Sequence, residues 1–284
     1  MGNYEALQRA EQERRRKASG DPGLRVPAVD WDATPQSAPE ARKTPGMLER
    51  FFKRRKRREA LPAQDAGELN KRRISILQPE SYVAEQFRTL RSRIESAAAQ
   101  HAVCTVAMTS ANPGEGKSTA SINFAAVCAM SVGKRVLLVD CDLRRPTIDR
   151  SLGLSPKTGL AEVLLDKASF QDSLIPVEGL NLDVLPVRTQ PANPSELLAS
   201  AAMRRLIEES SAVYDRIVLD TPAVLGLPDA KIVSDLCDGL VMVVRADITP
   251  RAEVGAALEI LDRRRVLGLV LNGVELSREG YGYY

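Results

Sequence analysis

Lysine, serine and aspartate fall in this 284-residue chain at spacings that suit phosphate and metal chemistry. The stretch SANPGEGKST places Ala111, Asn112, Pro113, Gly114 and Glu115 ahead of Gly116, Lys117, Ser118 and Thr119. This is the phosphate-loop spacing with alanine at its first position. Its glycines let the backbone curl so that amides face a phosphate, and a helix after it offers the positive end of its dipole to the same anion. Lys117 can reach the β- and γ-phosphates of ATP, and Ser118 can coordinate Mg²⁺. RVLLVDCDLRRP supplies Asp140 at a strand end and Asp142 two residues on. A carboxylate there can bind a metal's water shell or take a proton from an attacking hydroxyl, and a helix cap or a solvated turn is the plainer use. DRIVLDTPAVL adds Asp220, in the position of a carboxylate that holds Mg²⁺.

A second group sits at the other end of the chemistry. The sequence closes on EGYGYY, so Tyr281, Tyr283 and Tyr284 are three of the chain's six tyrosines. Gly280 and Gly282 between them argue against a packed last strand, which leaves accessible phenols. A phenol with a pKa of about 10 is a poor nucleophile at neutral pH unless a placed carboxylate accepts its proton.

The elements that must hold these groups are legible as a repeating pattern. VCTVAMT, RVLLVD, LDVLPV, DRIVLD, GLVMVVR and VLGLVLN are short apolar runs, and helical stretches such as SYVAEQFRTLRSRIESAAA, KSTASINFAAVCAMSV, SELLASAAMRRLIEESS and RAEVGAALEILDRRR lie along the same chain. Such alternation predicts an α/β fold of the P-loop NTPase kind, a mostly parallel central sheet with helices on both faces. Ligands of such sheets bind at the carboxyl ends of the strands, where the motifs fall. The hydrophobic content of 44% supports a core, and the aromatic content of 4% makes that core aliphatic.

Residues 1–75 differ, with 18 Lys and Arg against 11 Asp and Glu. They are expected to form a disordered basic tail, followed by a catalytic domain over 76–276 and a flexible end over 277–284. Within the tail, MLERFFKRRKRRE (47–59) sets Leu48, Phe51 and Phe52 beside six consecutive basic residues. It could dock on an anionic membrane surface or remain a solvated charge run. No specific nucleic-acid role is expected. Cys104, Cys128, Cys141 and Cys237 have no paired spacing, and with His101 as the lone histidine they read as reduced thiols of a cytosolic protein. Neither a secretory signal nor a membrane span is expected.

Together these motifs resemble the bacterial tyrosine kinases of exopolysaccharide and capsule synthesis. SANPGEGKST resembles their Walker A motif, LLVDCDLRRP their Walker A′, IVLDTPAV their Walker B, and NLDVLPVRTQPANPSELLAS their segment ending in NPSELL. The resemblance runs over residues 78–284. It implies that Lys117 and Ser118 hold ATP and Mg²⁺, that Asp142 and Asp220 support the metal, and that Asp140 is the base. It further implies that the terminal tyrosines are the acceptors, taken by the active site of a neighbouring subunit. Glu85, Arg88 and Arg91 in EQFRTLR share one helix face and resemble the family's ExxRxxR oligomerisation motif; a solvated ion-pair face is the alternative. A ring that loosens on phosphorylation, a membrane activator of the polysaccharide co-polymerase kind and a cognate tyrosine phosphatase are the implied partners. The chain resembles the free-standing form, held at the inner face of the plasma membrane by its activator. Its long tail is similar to that of kinases accompanying exosortase-linked polysaccharide systems. Ala223 stands where the family continues Walker B with a second proline.

Two other functions fit parts of the pattern. ATPases of the MinD and ParA type share the expected fold, but they carry a lysine where this chain has Asn112. A nucleotide-locked adaptor of an export complex would have no need of Lys117, Asp140 and Asp142 together.

Overall fold

The computed structural model describes residues 73–97 and 103–274. The basic segment 47–59 and Tyr281, Tyr283 and Tyr284 lie outside the described residues, as does most of the expected tail. Seven strands form one sheet, β1 (Thr105–Ser110), β2 (Val136–Asp140), β3 (Ile175–Pro176), β4 (Leu182–Leu185), β5 (Arg216–Asp220), β6 (Gly239–Arg245) and β7 (Val266–Asn272). Their order is β3-β4-β2-β5-β1-β6-β7. Every pairing is parallel except that of β3 with β4, at the edge. The strands β1 and β2 are buried along their whole length, as unbroken apolar runs covered on both faces must be.

Alternation along the strands divides the core in two. Val106, Met108, Leu138 and Val218 face one layer with Ile122, Phe124 and Ile94, while Ala107, Leu137, Val139 and Leu219 face the other with Met203, Leu206 and Ala230. The first layer is built on α1 (Ile74–Leu77), α2 (Tyr82–Ala97) and α3 (Lys117–Ala129). Helix α3 follows β1 and is buried from Ala120 to Ala129, between the sheet and the two preceding helices. A helix apolar on all sides belongs in such a place. Its one buried amide is satisfied, since Asn123 Oδ1 accepts from Ser75 N at 2.8 Å and Asn123 Nδ2 donates to Thr119 O at 2.8 Å. Ser75 is fully buried in α1, so a boundary drawn at residue 75 falls inside a packed helix.

The stretch 195–211 is not one helix. It is α7 (Pro194–Leu198) and α8 (Ala201–Ser211), because Ser200 caps the second with Oγ accepting from Met203 N at 3.2 Å. Three short helices, α4 (Ile148–Leu152), α5 (Leu160–Leu164) and α6 (Phe170–Ser173), lie between β2 and β3. After β5 come α9 (Asp229–Ser234) and, after β6, α10 (Arg251–Ile260). No helix among the described residues is long and apolar enough to cross a membrane.

Candidate active site

The carboxyl ends of β1, β2 and β5 are neighbours in the sheet, and sheet register brings the acidic residues together. Asp140 is paired with Asp220 across β2 and β5, and Met108 with Asp220 across β1 and β5. The loop from Ala111 to Gly116 leaves β1 beside them and turns through Gly114 at φ 84° and Gly116 at φ 94°. Both values lie in the region that favours glycine. The N-cap of α3 is Gly116, which has no side chain to satisfy the helix's first amides, so they are left for a ligand or water. That is the arrangement that receives an anion.

Lys117 lies between loop and carboxylates, with Nζ 3.3 Å from Asp142 Oδ2. Asp142 Oδ1 accepts from Arg145 N at 2.9 Å, which folds the loop after β2 back on itself. Asp140 is fully buried; Oδ1 accepts from Asp142 N at 3.1 Å and Oδ2 from Thr147 N and Ile148 N at 3.2 Å each. Burial, and next the charge of Asp220, push its carboxyl well above the usual range. Asp220 is also fully buried, and burial raises it to about 6 against the pull of Lys117 and of the Ser118 and Ser121 hydroxyls. Ser121 Oγ donates to Asp220 Oδ1 at 2.9 Å, whereas Asp220 Oδ2 has no hydrogen-bond partner. A buried carboxylate oxygen left open beside a serine hydroxyl suits a hard divalent cation that prefers oxygen ligands. The residues therefore fit Mg²⁺ with a triphosphate, on Ser118, Asp220 and the adjoining Asp142.

Several contacts that shape the site were not singled out by sequence reasoning. Glu115 is buried, with Oε1 accepting from Thr249 Oγ1 at 2.5 Å. Asn112 Nδ2 donates to Glu253 Oε2 at 2.5 Å, and Asn272 Nδ2, at the end of β7, donates to Glu115 O at 2.9 Å. After β2, Arg144 joins Ser195 and Asp229 in a hydrogen-bonded group, with Arg144 Nε donating to Asp229 Oδ2 at 2.6 Å. Polar residues scattered over four segments give no local spacing to read, although LLVDCDLRRP contains Arg144 and NPSELL contains Ser195.

The residues Glu85, Arg88 and Arg91 stand elsewhere, on α2. Glu85 is exposed and accepts from Arg88 Nη1 at 2.5 Å. Arg91 turns inward instead, donating through Nη1 to Val127 O at 2.8 Å and Ser131 Oγ at 2.5 Å at the far end of α3. It adjoins the inward stripe of Ala84, Phe87 and Ile94, yet at 24% exposed its side chain is nearly as open as that of Arg88 at 29%. A cavity of about 350 Å³ beside Arg91 lies at the amino ends of β1, β2 and β5, away from the phosphate loop. All four cysteines are free thiols.

With this geometry in place, comparison with known proteins is informative. Residues 103–256 match a family model described as an AAA domain. Tyrosine-protein kinase YwqD of Bacillus subtilis (strain 168) is 39% identical over 228 residues, which span 79% of this chain and 96% of that protein. The chain belongs to the bacterial tyrosine kinases. The solved kinase domain of Escherichia coli tyrosine kinase ETK superposes on this family member with a TM-score of 0.69 at 28% identity, over 82% of this chain and 91% of that one. The cell division ATPase MinD of Pyrococcus furiosus shares the fold alone with this kinase, at a TM-score of 0.52 and 24% identity over 59% of this chain and 71% of that one.

Proposed function

We propose that the chain transfers the γ-phosphoryl group of ATP to Tyr281, Tyr283 and Tyr284 of a neighbouring copy, and that this regulates exopolysaccharide polymerisation or export. As a member of its family it is a protein-tyrosine kinase. The observation that supports the reading most is the pairing of Asp140 with Asp220 beside Lys117, with one oxygen of Asp220 left open. Phosphates bind in the turn of Gly114 and Gly116 against the start of α3, and Lys117 exchanges Asp142 for their oxygens. Ser118, Asp142 and Asp220 would hold Mg²⁺, which when bound would neutralise charge on the phosphates. Asp140 accepts the phenol proton, a task to which a raised pKa suits it. Three amide bonds of 3.1 to 3.2 Å, from Asp142, Thr147 and Ile148, hold that carboxylate in one orientation.

Each phosphate added to the terminal tyrosines brings about −1.5 to −2 charges. A tail so modified is repelled from three clustered carboxylates, which loosens a ring assembled through Glu85, Arg88 and Arg91. Cytoplasmic placement at the inner membrane face follows from docking on a membrane activator, helped by residues 47–59 on anionic lipid, and a phosphatase resets the tail. The test mixes full-length Lys117→Met with an active copy truncated after Glu279, in Mg·ATP with phosphotyrosine detection. Label on the Lys117→Met copy is expected. Phosphate release with no phosphotyrosine on either copy would overturn the kinase reading in favour of an ATPase switch, and neither product would favour the adaptor.

A further inference from the structure

Negative charge outweighs positive at the ends of β2 and β5. Asp140, Asp142 and Asp220 crowd there, and the cation among them, Lys117, is already engaged by Asp142. A triphosphate adds more negative charge, and during transfer that charge spreads over three equatorial oxygens of the moving phosphoryl group. A second cation, fixed in advance near Asp142, would stabilise that distribution at little entropic cost.

Arg144, two residues beyond Asp142, has such a fixed guanidinium. One edge is locked, Nε donating to Asp229 Oδ2 at 2.6 Å and Nη2 to Ser195 Oγ at 3.0 Å. The lock is itself buried, since the Asp229 side chain is 1% exposed and its Oδ1 also accepts from Ser195 Oγ at 2.5 Å. The other edge, with Nη1, makes no hydrogen bond to the described residues, and the side chain is 36% exposed. Arg144 stands two residues after Asp142, in the loop that Arg145 N folds back onto Asp142 Oδ1 at 2.9 Å, so its anchor point lies beside the site. A surface ion pair that only tethered a loop would have no need of a buried carboxylate and a hydroxyl on the same edge.

We propose that the free edge of Arg144 binds the phosphoryl group in flight, and that Asp229 with Ser195 is the positioning pair that presents it. The inference rests on the kinase reading above. The bond from phosphorus to the β–γ bridging oxygen breaks, the bond to the phenol oxygen forms, and the phenol proton passes to Asp140. Arg144 neither gains nor loses a proton, and its contribution is confined to charge.

The test compares two ligands on the purified full chain with Mg²⁺, ADP alone and ADP with aluminium fluoride, which mimics the transferring group. In Arg144→Lys, which keeps the charge and loses the fork, Kd for ADP should stay within about twofold while Kd for the fluoride complex rises about tenfold or more. Asp229→Asn should shift the ratio in the same direction. Should that variant fail to fold, as judged by thermal unfolding, Ser195→Ala keeps the ion pair and should show a smaller shift of about threefold. In labelling assays the same variants should lower kcat at unchanged KM for ATP. Equal weakening of both ligands, or no weakening of either, would overturn the proposal. A parent protein that binds both ligands yet leaves its tyrosines unlabelled defeats the kinase reading, while the ratio of the two Kd values still decides the role of Arg144.

Discussion

Gly116 has no room for a side chain. A Cβ there would come within 2.0 Å of Asn272 Nδ2, and the backbone stands at φ 94°. Gly116→Ala should lower stability by about 1 kcal/mol or more and abolish nucleotide binding, and adding Asn272→Ala should recover only part of the loss because the dihedral strain remains. Thermal unfolding and nucleotide titration check both parts. Asp220 offers a test with a sign. Its carboxyl is raised from 3.8 to about 6 by burial, so the folded chain holds the proton more tightly than the unfolded one. The stability this gives is full below pH ~4 and is lost as pH rises through about 6. In chelator, without metal or nucleotide, Asp220→Asn should therefore stabilise the protein at pH 8, on the order of a few kcal/mol, and change little at pH 4. Urea unfolding that shows the same difference at both pH values contradicts this. The two motif glycines and Asp220 were legible in sequence because loop chemistry demands them in a fixed order; Asn272, 156 residues after Gly116, was not, because only the fold brings it there.

The elements were readable where one force dominates them. A parallel strand covered on both faces needs an unbroken apolar run, so GLVMVVR coincides with β6, while VLGLVLN coincides with the edge strand β7, which leaves Leu269 and Leu271 exposed. The break at Ser200 was not readable, since propensity alone tolerates serine within a helix and only the cap to Met203 decides otherwise. Nor was the two-residue β3, which is held by its pairing with β4 rather than by its own pattern. Helix α2 shows what a spacing leaves out. Glu85, Arg88 and Arg91 recur every three residues, and only the fold shows that Arg91 also bonds the end of α3. Arg91→Ala should cost about 1.5 to 3 kcal/mol, as expected for lost bonds from a charged donor, and Glu85→Ala much less. Denaturant unfolding of the two variants checks the order. A change of assembly state is thus best tested with Glu85→Ala, whose fold should be unimpaired; size-exclusion chromatography that finds it as assembled as the parent would count against that surface.

At the scale of the whole molecule, the sheet order does what no single motif does. It sets β2, β5 and β1 side by side, so that Asp140, Asp220 and the phosphate loop, far apart in the chain, meet at one edge. Three separate motifs announced this meeting in the sequence because each is continuous. The lock joins Arg144 of LLVDCDLRRP and Ser195 of NPSELL to Asp229, and that joining became visible only in the fold because the three segments share no common spacing. The account as a whole holds that this edge passes a phosphoryl group to the terminal tyrosines. Mass-spectrometric mapping of the purified chain after incubation with Mg·ATP, beside Asp140→Asn and Lys117→Met, tests this most directly. Phosphate on Tyr281, Tyr283 and Tyr284 in the parent, with strong loss in both variants, is the expected result. Terminal tyrosines that stay bare while ATP is consumed, or that label as fast in Asp140→Asn as in the parent, would contradict it.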